Sequence, residues 1–121
     1  MTSKILLVDD DPDIREAVAL VLEPYGFDTL VAANGSDGIS ALREHPDVQL
    51  ILVDLMMPGV SGAEMIGLLK ADEALRRIPI VVLSGDNYAG ERAIALGATD
   101  CLRKPVDLSE LLAMLHKRTH A

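Results

Sequence analysis

Acidic residues are concentrated directly after the first apolar segment of the chain. Asp9, Asp10 and Asp11 are consecutive, Pro12 comes next, and Asp13 completes four carboxylates in five positions. Asp11 and Asp13 suit the start of a helix, where aspartates cap free N–H groups and interact favourably with the helix dipole. That explanation does not extend to Asp9 and Asp10. Because adjacent carboxylates repel each other unless a cation or a proton offsets their charge, the pair indicates a metal site.

A third carboxylate, Asp54, follows another wholly apolar segment and precedes Leu55-Met56-Met57-Pro58-Gly59. Alone, an aspartate at the start of a Pro-Gly loop is most often a turn residue. Three clustered carboxylates with no histidine or second cysteine, however, are typical ligands of a hard cation that keeps several waters. The sequence therefore favours Mg2+ or Mn2+ over zinc.

A hydroxyl and an amine complete the candidate chemistry. Ser84-Gly85 ends a fourth apolar segment, and Lys104 lies in Arg103-Lys104-Pro105 after a fifth. Each residue alone is most often structural or solvated. Together with the acids, they are the groups needed to accept and hold a phosphoryl group, because phosphoryl transfer requires chiefly positioning and charge neutralisation. In this interpretation Asp54 is a carboxylate nucleophile, and Lys104 and the metal bind phosphoryl oxygens.

Five apolar segments, separated by helical patterns, must position these groups. The strands are predicted at residues 5–8, 30–33, 50–53, 80–83 and, more weakly, 99–102. The helices are predicted at residues 12–23, 36–44, from 61 onward, 87–96 and after Asp107. Continuous apolarity in the first four strands predicts burial on both faces.

Strict βα alternation predicts an α/β fold, a doubly wound (βα)5 flavodoxin-like sandwich. Its five-stranded parallel sheet has the order 2-1-3-4-5, with helices on both faces. We expect a single domain over residues 1–121. This order places a ligand beyond the carboxyl ends of strands 1 and 3.

Composition excludes several classes of function. The formal net charge of -8 argues against sequence-independent nucleic-acid binding, which needs lysine and arginine. Cys101 is the single cysteine, no signal peptide is recognisable, and no apolar run approaches the roughly 20 residues of a membrane span. We therefore expect a cytoplasmic protein without direct nucleic-acid or membrane partners.

The sequence at this point resembles the receiver domains of response regulators in two-component signal transduction, particularly the chemotaxis-type single-domain receivers. The resemblance rests on Leu7-Val8-Asp9-Asp10-Asp11-Pro12, Ala33-Asn34-Gly35, Asp54 to Gly62, Leu83-Ser84-Gly85, Leu96-Gly97-Ala98 and Lys104-Pro105. It implies that Asp54 is the phosphoacceptor and that Asp9, Asp10 and the backbone carbonyl of Met56 join Asp54 in binding the metal. It also implies a switch role for the Ser84 hydroxyl, a contact of Lys104 with a phosphoryl oxygen, and a cis Lys104–Pro105 bond.

The resemblance further implies a signalling function rather than an enzyme. A sensor histidine kinase or histidine phosphotransfer protein would donate the phosphoryl group in a Mg2+-dependent reaction, in which Mn2+ can substitute. The domain would assist its own phosphorylation and dephosphorylation, and would control an unknown output protein or domain. Homodimerisation on phosphorylation stays open, and a stand-alone receiver is favoured slightly over the amino-terminal part of a larger regulator.

Two features depart from the family pattern. Cys101 stands where the family usually has tyrosine or phenylalanine, and the 20-residue spacing from Ser84 to Lys104 predicts a shortened loop or fourth helix. We therefore hypothesise that a moving Ser84 signals through backbone and helix 4 instead of an aromatic side chain.

Three alternatives are less consistent with the residues. A flavodoxin-like cofactor binder needs a Ser-, Thr- and Gly-rich loop where this chain has acids, and a haloacid-dehalogenase-type phosphatase needs an aspartate where Met56 stands. A phosphorylation-independent receiver-like protein-binding module is the most serious alternative.

Overall fold

Strands and helices alternate along residues 3–55 and 62–119, which the computed structural model describes. The strands are β1 (Ser3–Val8), β2 (Phe27–Ala32), β3 (Leu50–Asp54), β4 (Ile80–Ser84) and β5 (Asp100–Arg103). The helices are α1 (Pro12–Leu22), α2 (Gly35–Glu44), α3 (Gly62–Ala71), α4 (Asn87–Leu96) and α5 (Leu108–Thr119), and a short 3-10 turn, Glu23–Tyr25, follows α1.

The five strands form one parallel sheet in the order β2-β1-β3-β4-β5. Val8 lies opposite Val53, and Asp54 lies opposite Leu83. The polar residues that directly follow β1 and that end β3 and β4 therefore reach the same edge of the sheet. The predicted fold class and strand order are confirmed.

Helices cover both faces of the sheet, which explains the continuous apolar strands. Side chains of β1 alternate: Ile5 and Leu7 pack in a core with residues of α1 and α5, whereas Leu6 and Val8 pack in a second core with residues of α2, α3 and α4. In β1, β3 and β4 the apolar residues are buried from Ile5 onward. This two-sided burial fixes the strand ends on which the candidate site is built.

The prediction of a fully buried second strand at residues 30–33 is wrong. The strand begins three residues earlier, at Phe27, and Val31 is 47% exposed. The cause is the position of β2 at the edge of the sheet, where it has one neighbouring strand and incomplete cover.

Aspartates begin two of the helices as the sequence predicts. Asp11 accepts a hydrogen bond from the backbone N–H of Asp13 at 2.9 Å, and Asp107 accepts one from Glu110 at 3.2 Å. Ser61, where the third helix is predicted to begin, lies outside the described residues. None of the helices described is long and apolar enough to cross a membrane.

Candidate phosphoryl and metal site

Three carboxylates meet where β1 and β3 end. Asp9 and Asp10 follow β1, and Asp54 is the last residue of β3. Each contributes a carboxylate oxygen, and these oxygens lie within 4.8 Å of one another. Asp9 and Asp54 are buried, whereas Asp10 is exposed. The parallel register places Asp9 and Asp54 side by side, because each directly follows one residue of the Val8–Val53 pair.

The Asp9 carboxylate is held through one oxygen. Its Oδ1 accepts a hydrogen bond from the backbone N–H of Asp11 at 3.0 Å. Its Oδ2 is buried and has no hydrogen-bond partner within residues 3–55 and 62–119. Burial raises the pKa of Asp9, and the negative charges of Asp54 and Asp10 act in the same direction. An unpaired carboxylate oxygen in a cluster of acids fits a bound cation, which would offset both the burial and the repulsion.

Arg15 is a further residue of this region that the sequence motifs do not single out. Its Nη1 donates a hydrogen bond to the backbone carbonyl of Asp9 at 2.8 Å. The contact ties the first turn of α1 to the segment that carries the acids. The sequence signal that could have identified Arg15 is a positively charged side chain in the first turn of a helix that follows an acidic run.

Lys104 brings a positive charge to the acids from the far end of the chain. Its Nζ lies 2.9 Å from Oδ2 of Asp54, with side-chain exposures of 35% for the lysine and 5% for the aspartate. The backbone N–H of Lys104 also donates to the carbonyl of Ser84 at 2.8 Å, which fixes the position of the lysine after β5. The Lys104–Pro105 peptide bond is cis, as the resemblance implies.

Ser84 lies beside the acids at the end of β4. It is 2% exposed, and the sheet pairs its predecessor, Leu83, with Asp54. Its hydroxyl donates a hydrogen bond to the carbonyl of Asp86 at 2.6 Å, so it is directed toward the start of α4. Gly85 is exposed, and a Cβ there would meet no atom of the described residues within 4 Å.

The structure thus brings Asp9, Asp10, Asp54 and Lys104 together, and it places Ser84 at the same edge. Met56, whose backbone carbonyl the sequence analysis assigns to the metal, lies outside the described residues. An all-oxygen set that carries three negative charges suits Mg2+ or Mn2+ better than zinc. The same edge places an ammonium group 2.9 Å from the buried carboxylate of Asp54.

Comparison with known proteins relates this arrangement to one family. The model of the family described as the response regulator receiver domain matches residues 5–116. The DNA-binding response regulator MtrA of Mycolicibacterium smegmatis is 40% identical over 121 residues, covering 98% of this chain and 51% of that protein. The chain spans about half the length of the curated relatives it matches.

Solved structures give the same relationship at the level of the fold. The chemotaxis protein CheY4 of Vibrio cholerae has a TM-score of 0.88 and 27% identity, with 98% of this chain and 99% of that chain covered. The beryllofluoride-activated receiver domain of Klebsiella pneumoniae RstA has a TM-score of 0.89 and 26% identity, with coverages of 98% and 100%.

Proposed function

The chain belongs to the response regulator receiver domain family, whose members are signalling domains, and we propose that Asp54 is its phosphoacceptor. The observation that carries the proposal is the 2.9 Å contact between the Lys104 ammonium group and Asp54, beside a cluster that also holds Asp9 and Asp10. These residues come from the ends of three different strands. Among residues 3–55 and 62–119, Asp9 leaves one buried carboxylate oxygen without a hydrogen-bond partner, which supports a cation at this cluster.

The proposed reaction is phosphoryl transfer from a phosphohistidine. An oxygen of the Asp54 carboxylate attacks the phosphorus, the P–N bond to the histidine breaks, and the histidine nitrogen leaves with the electron pair. The product is an acyl phosphate, which water resets by attack at phosphorus and cleavage of the bond to Asp54. Lys104 is already beside the carboxylate, so its ammonium group can follow the charge onto a phosphoryl oxygen with little displacement.

Asp9 and Asp10 would hold Mg2+, or Mn2+ in its place, together with Asp54 and the backbone carbonyl of Met56. A bound divalent cation supplies positive charge against phosphoryl oxygens and orients them for in-line transfer. Asp9 contributes a fixed, buried carboxylate because Asp11 holds its other oxygen, while the exposed Asp10 is accessible from solvent.

The partners follow from this chemistry. A sensor histidine kinase or histidine phosphotransfer protein would donate the phosphoryl group, and an output protein or domain would respond to it. The domain would act in the cytoplasm as a switch that assists its own phosphorylation and dephosphorylation, not as an enzyme acting on other substrates. MtrA is described as DNA-binding; a net charge of -8 gives this receiver segment itself little affinity for nucleic acid.

The test is phosphorylation by a small donor. The protein is incubated with acetyl phosphate or phosphoramidate, with Mg2+ or with EDTA, and its intact mass is measured. We expect one added phosphoryl group that requires Mg2+, is absent in Asp54→Asn, and is retained in Asp28→Asn, which removes an exposed aspartate of β2.

The variant Lys104→Met tests whether Lys104 assists phosphoryl transfer to Asp54 without being the acceptor itself. This variant should bind Mg2+ but gain the phosphoryl group at least about tenfold more slowly, because a charge-assisted contact to the transferred group is lost. An Asp54→Asn protein that still gains the label would refute the assignment of the acceptor. No adduct with any donor would instead favour a phosphorylation-independent binding module.

A further inference from the structure

A cavity of about 400 Å³ opens at the end of the sheet opposite the acids, where β3 and β4 begin. Its lining includes three buried apolar side chains, Leu42, Leu75 and Ile78, and two exposed residues, Pro46 and Ala74. Small-molecule sites have volumes of about 300–1,000 Å³ and mostly apolar linings. The cavity therefore has the size and the lining of a small-ligand site, and it is separate from the candidate phosphoryl site.

The segment between α3 and β4, which forms much of the lining, is held by its own hydrogen bonds. The N–H groups of Leu75 and Arg76 donate to the carbonyl of Asp72 at 3.1 and 2.9 Å. The N–H of Ile78 donates to the carbonyl of Leu75 at 3.1 Å, and Nζ of Lys70 donates to the carbonyl of Arg76 at 3.1 Å. The cavity is thus formed before a ligand arrives, which lowers the cost of binding.

Two guanidinium groups line the cavity, and only one of them is paired. Nη2 of Arg43 lies 2.8 Å from Oδ2 of Asp72. A hydrogen bond from the N–H of Ala74, together with Arg43, holds the pKa of Asp72 down, so Asp72 is charged at neutral pH and offsets Arg43. Arg77 makes no hydrogen bond or ion pair with any residue of 3–55 or 62–119. The lining therefore carries one uncompensated positive charge.

Acids that are close in sequence do not neutralise Arg77. Glu44 and Glu73 are exposed and do not line the cavity, and Asp47 is paired with Lys4 at 2.9 Å. The chain as a whole has 19 acidic and 11 basic residues. A cavity whose charged lining is two arginines therefore differs in sign from the rest of the molecule, and this difference favours an anionic ligand.

We propose that this cavity binds a small amphiphilic monoanion, a carboxylate on a short hydrocarbon chain. The chain leaves water against Leu42, Leu75 and Ile78. The carboxylate accepts hydrogen bonds from Arg77, because the planar fork of a guanidinium group matches the two oxygens of a carboxylate. A single negative charge balances the one uncompensated positive charge. The proposal does not depend on phosphorylation of Asp54, and it gives the domain a second ligand site at the other end of the sheet.

Hexanoate is the probe, and hexanol and acetate are its matched controls. Hexanol keeps the hydrocarbon chain without the charge, and acetate keeps the charge with almost none of the chain. Each is titrated into the 15N-labelled protein at constant ionic strength while amide chemical shifts are recorded. We expect hexanoate to give saturable shifts centred on residues 42–46 and 74–78. Its Kd should be millimolar, because so few heavy atoms contribute, and hexanol and acetate should bind at least about fivefold more weakly.

Substitutions at neighbouring arginines test the assignment of the charge. Arg77→Met removes the guanidinium group but keeps an apolar side chain, so it should weaken hexanoate binding about five- to tenfold and leave hexanol binding unchanged. Arg77→Lys keeps the charge and should restore part of the affinity. Arg76→Met is the matched control, because Arg76 is exposed and does not line the cavity, and it should bind hexanoate as the wild type does.

Three results would overturn the proposal. Equal binding of hexanoate and hexanol by the wild type would remove the role of the charge. Equal losses in Arg77→Met and Arg76→Met would reduce the effect to general surface charge. Shifts that do not saturate, or that centre on Asp9 and Asp54, would exclude the cavity as the site. The wild-type titrations decide even if a variant does not fold, and because they need neither Mg2+ nor a phosphoryl donor, their failure leaves the proposed function unaffected.

Discussion

The substitution Asp9→Asn should stabilise the metal-free protein and remove its response to Mg2+. Asparagine keeps the Oδ1 atom that accepts from Asp11. It replaces Oδ2, which is buried and has no partner in the described part of the chain, with an amide group that can donate to neighbouring carboxylates. It also removes one of three clustered negative charges. The residue is fully buried, so solvent does little to screen the change.

The expected gain follows from the cost of a buried unsatisfied group, about 1–3 kcal/mol. For a chain of 121 residues this is about 4–12 °C in Tm. Mg2+ at tenfold excess over its Kd should stabilise the wild type by about 1.4 kcal/mol and the variant far less. Because the pKa of Asp9 is raised, the metal-free wild type loses stability as pH rises through that pKa. The advantage of the variant should therefore be absent in acid and grow toward neutral pH.

Thermal unfolding at several pH values, in EDTA and in Mg2+, measures both effects. Asp28→Asn is the matched control, because it removes the same charge from an exposed site on β2. A lower Tm for metal-free Asp9→Asn, with the control unchanged, would show that the Asp9 carboxylate stabilises the empty site. An undiminished response of the variant to Mg2+ would show that Asp9 is not needed to bind the cation.

Two further predictions concern neighbouring structure. Gly62→Ala should destabilise the protein by about 1–3 kcal/mol in urea unfolding, because its Cβ would lie 2.9 Å from the backbone carbonyl of Asp54. Gly67→Ala lies in the same helix, and its Cβ would have no described atom within 4 Å, so it should stabilise the protein by about 0.5–1 kcal/mol. Equal effects of the two substitutions would refute the packing argument. Asp72→Ala should lower the urea midpoint more at pH 7 than at pH 3, because a hydrogen bond from Ala74 holds the pKa of Asp72 down, so its contribution is lost as pH falls. A pH-independent difference would contradict that reasoning.

The sequence predicts the position of the candidate site well, because two-sided burial leaves a clear pattern. Apolar runs such as residues 50–53 are followed by a polar residue, and the parallel order brings the ends of those runs to one edge of the sheet. The same reasoning failed at Val31, because apolar composition does not distinguish a central strand from an edge strand. Whether a strand is central or at the edge is decided by the order of the strands in the sheet, and that order depends on the whole chain.

Contacts that depend on how closely the packed helices and strands fit together could not be predicted from the sequence. A glycine within a predicted helix indicates only a small loss of helix propensity, yet Gly90 sets the distance between α4 and Cys101. The direction of the Ser84 hydroxyl could not be predicted either, because rotation about one bond selects among several acceptors.

The ion pair between Lys104 and Asp54 joins residues that are 50 positions apart. The acids are assembled by β1 and β3, the central strands, whereas the lysine arrives with β5 at the edge of the sheet. A partly folded chain in which β5 has not docked therefore carries the carboxylates without this ammonium group. Such long-range contacts form late, because their loop-closure entropy must be offset by other interactions. With Asp54 as the proposed phosphoacceptor, a chain whose β5 has not docked should gain a phosphoryl group more slowly than the folded domain, so efficient phosphorylation is coupled to the completion of folding.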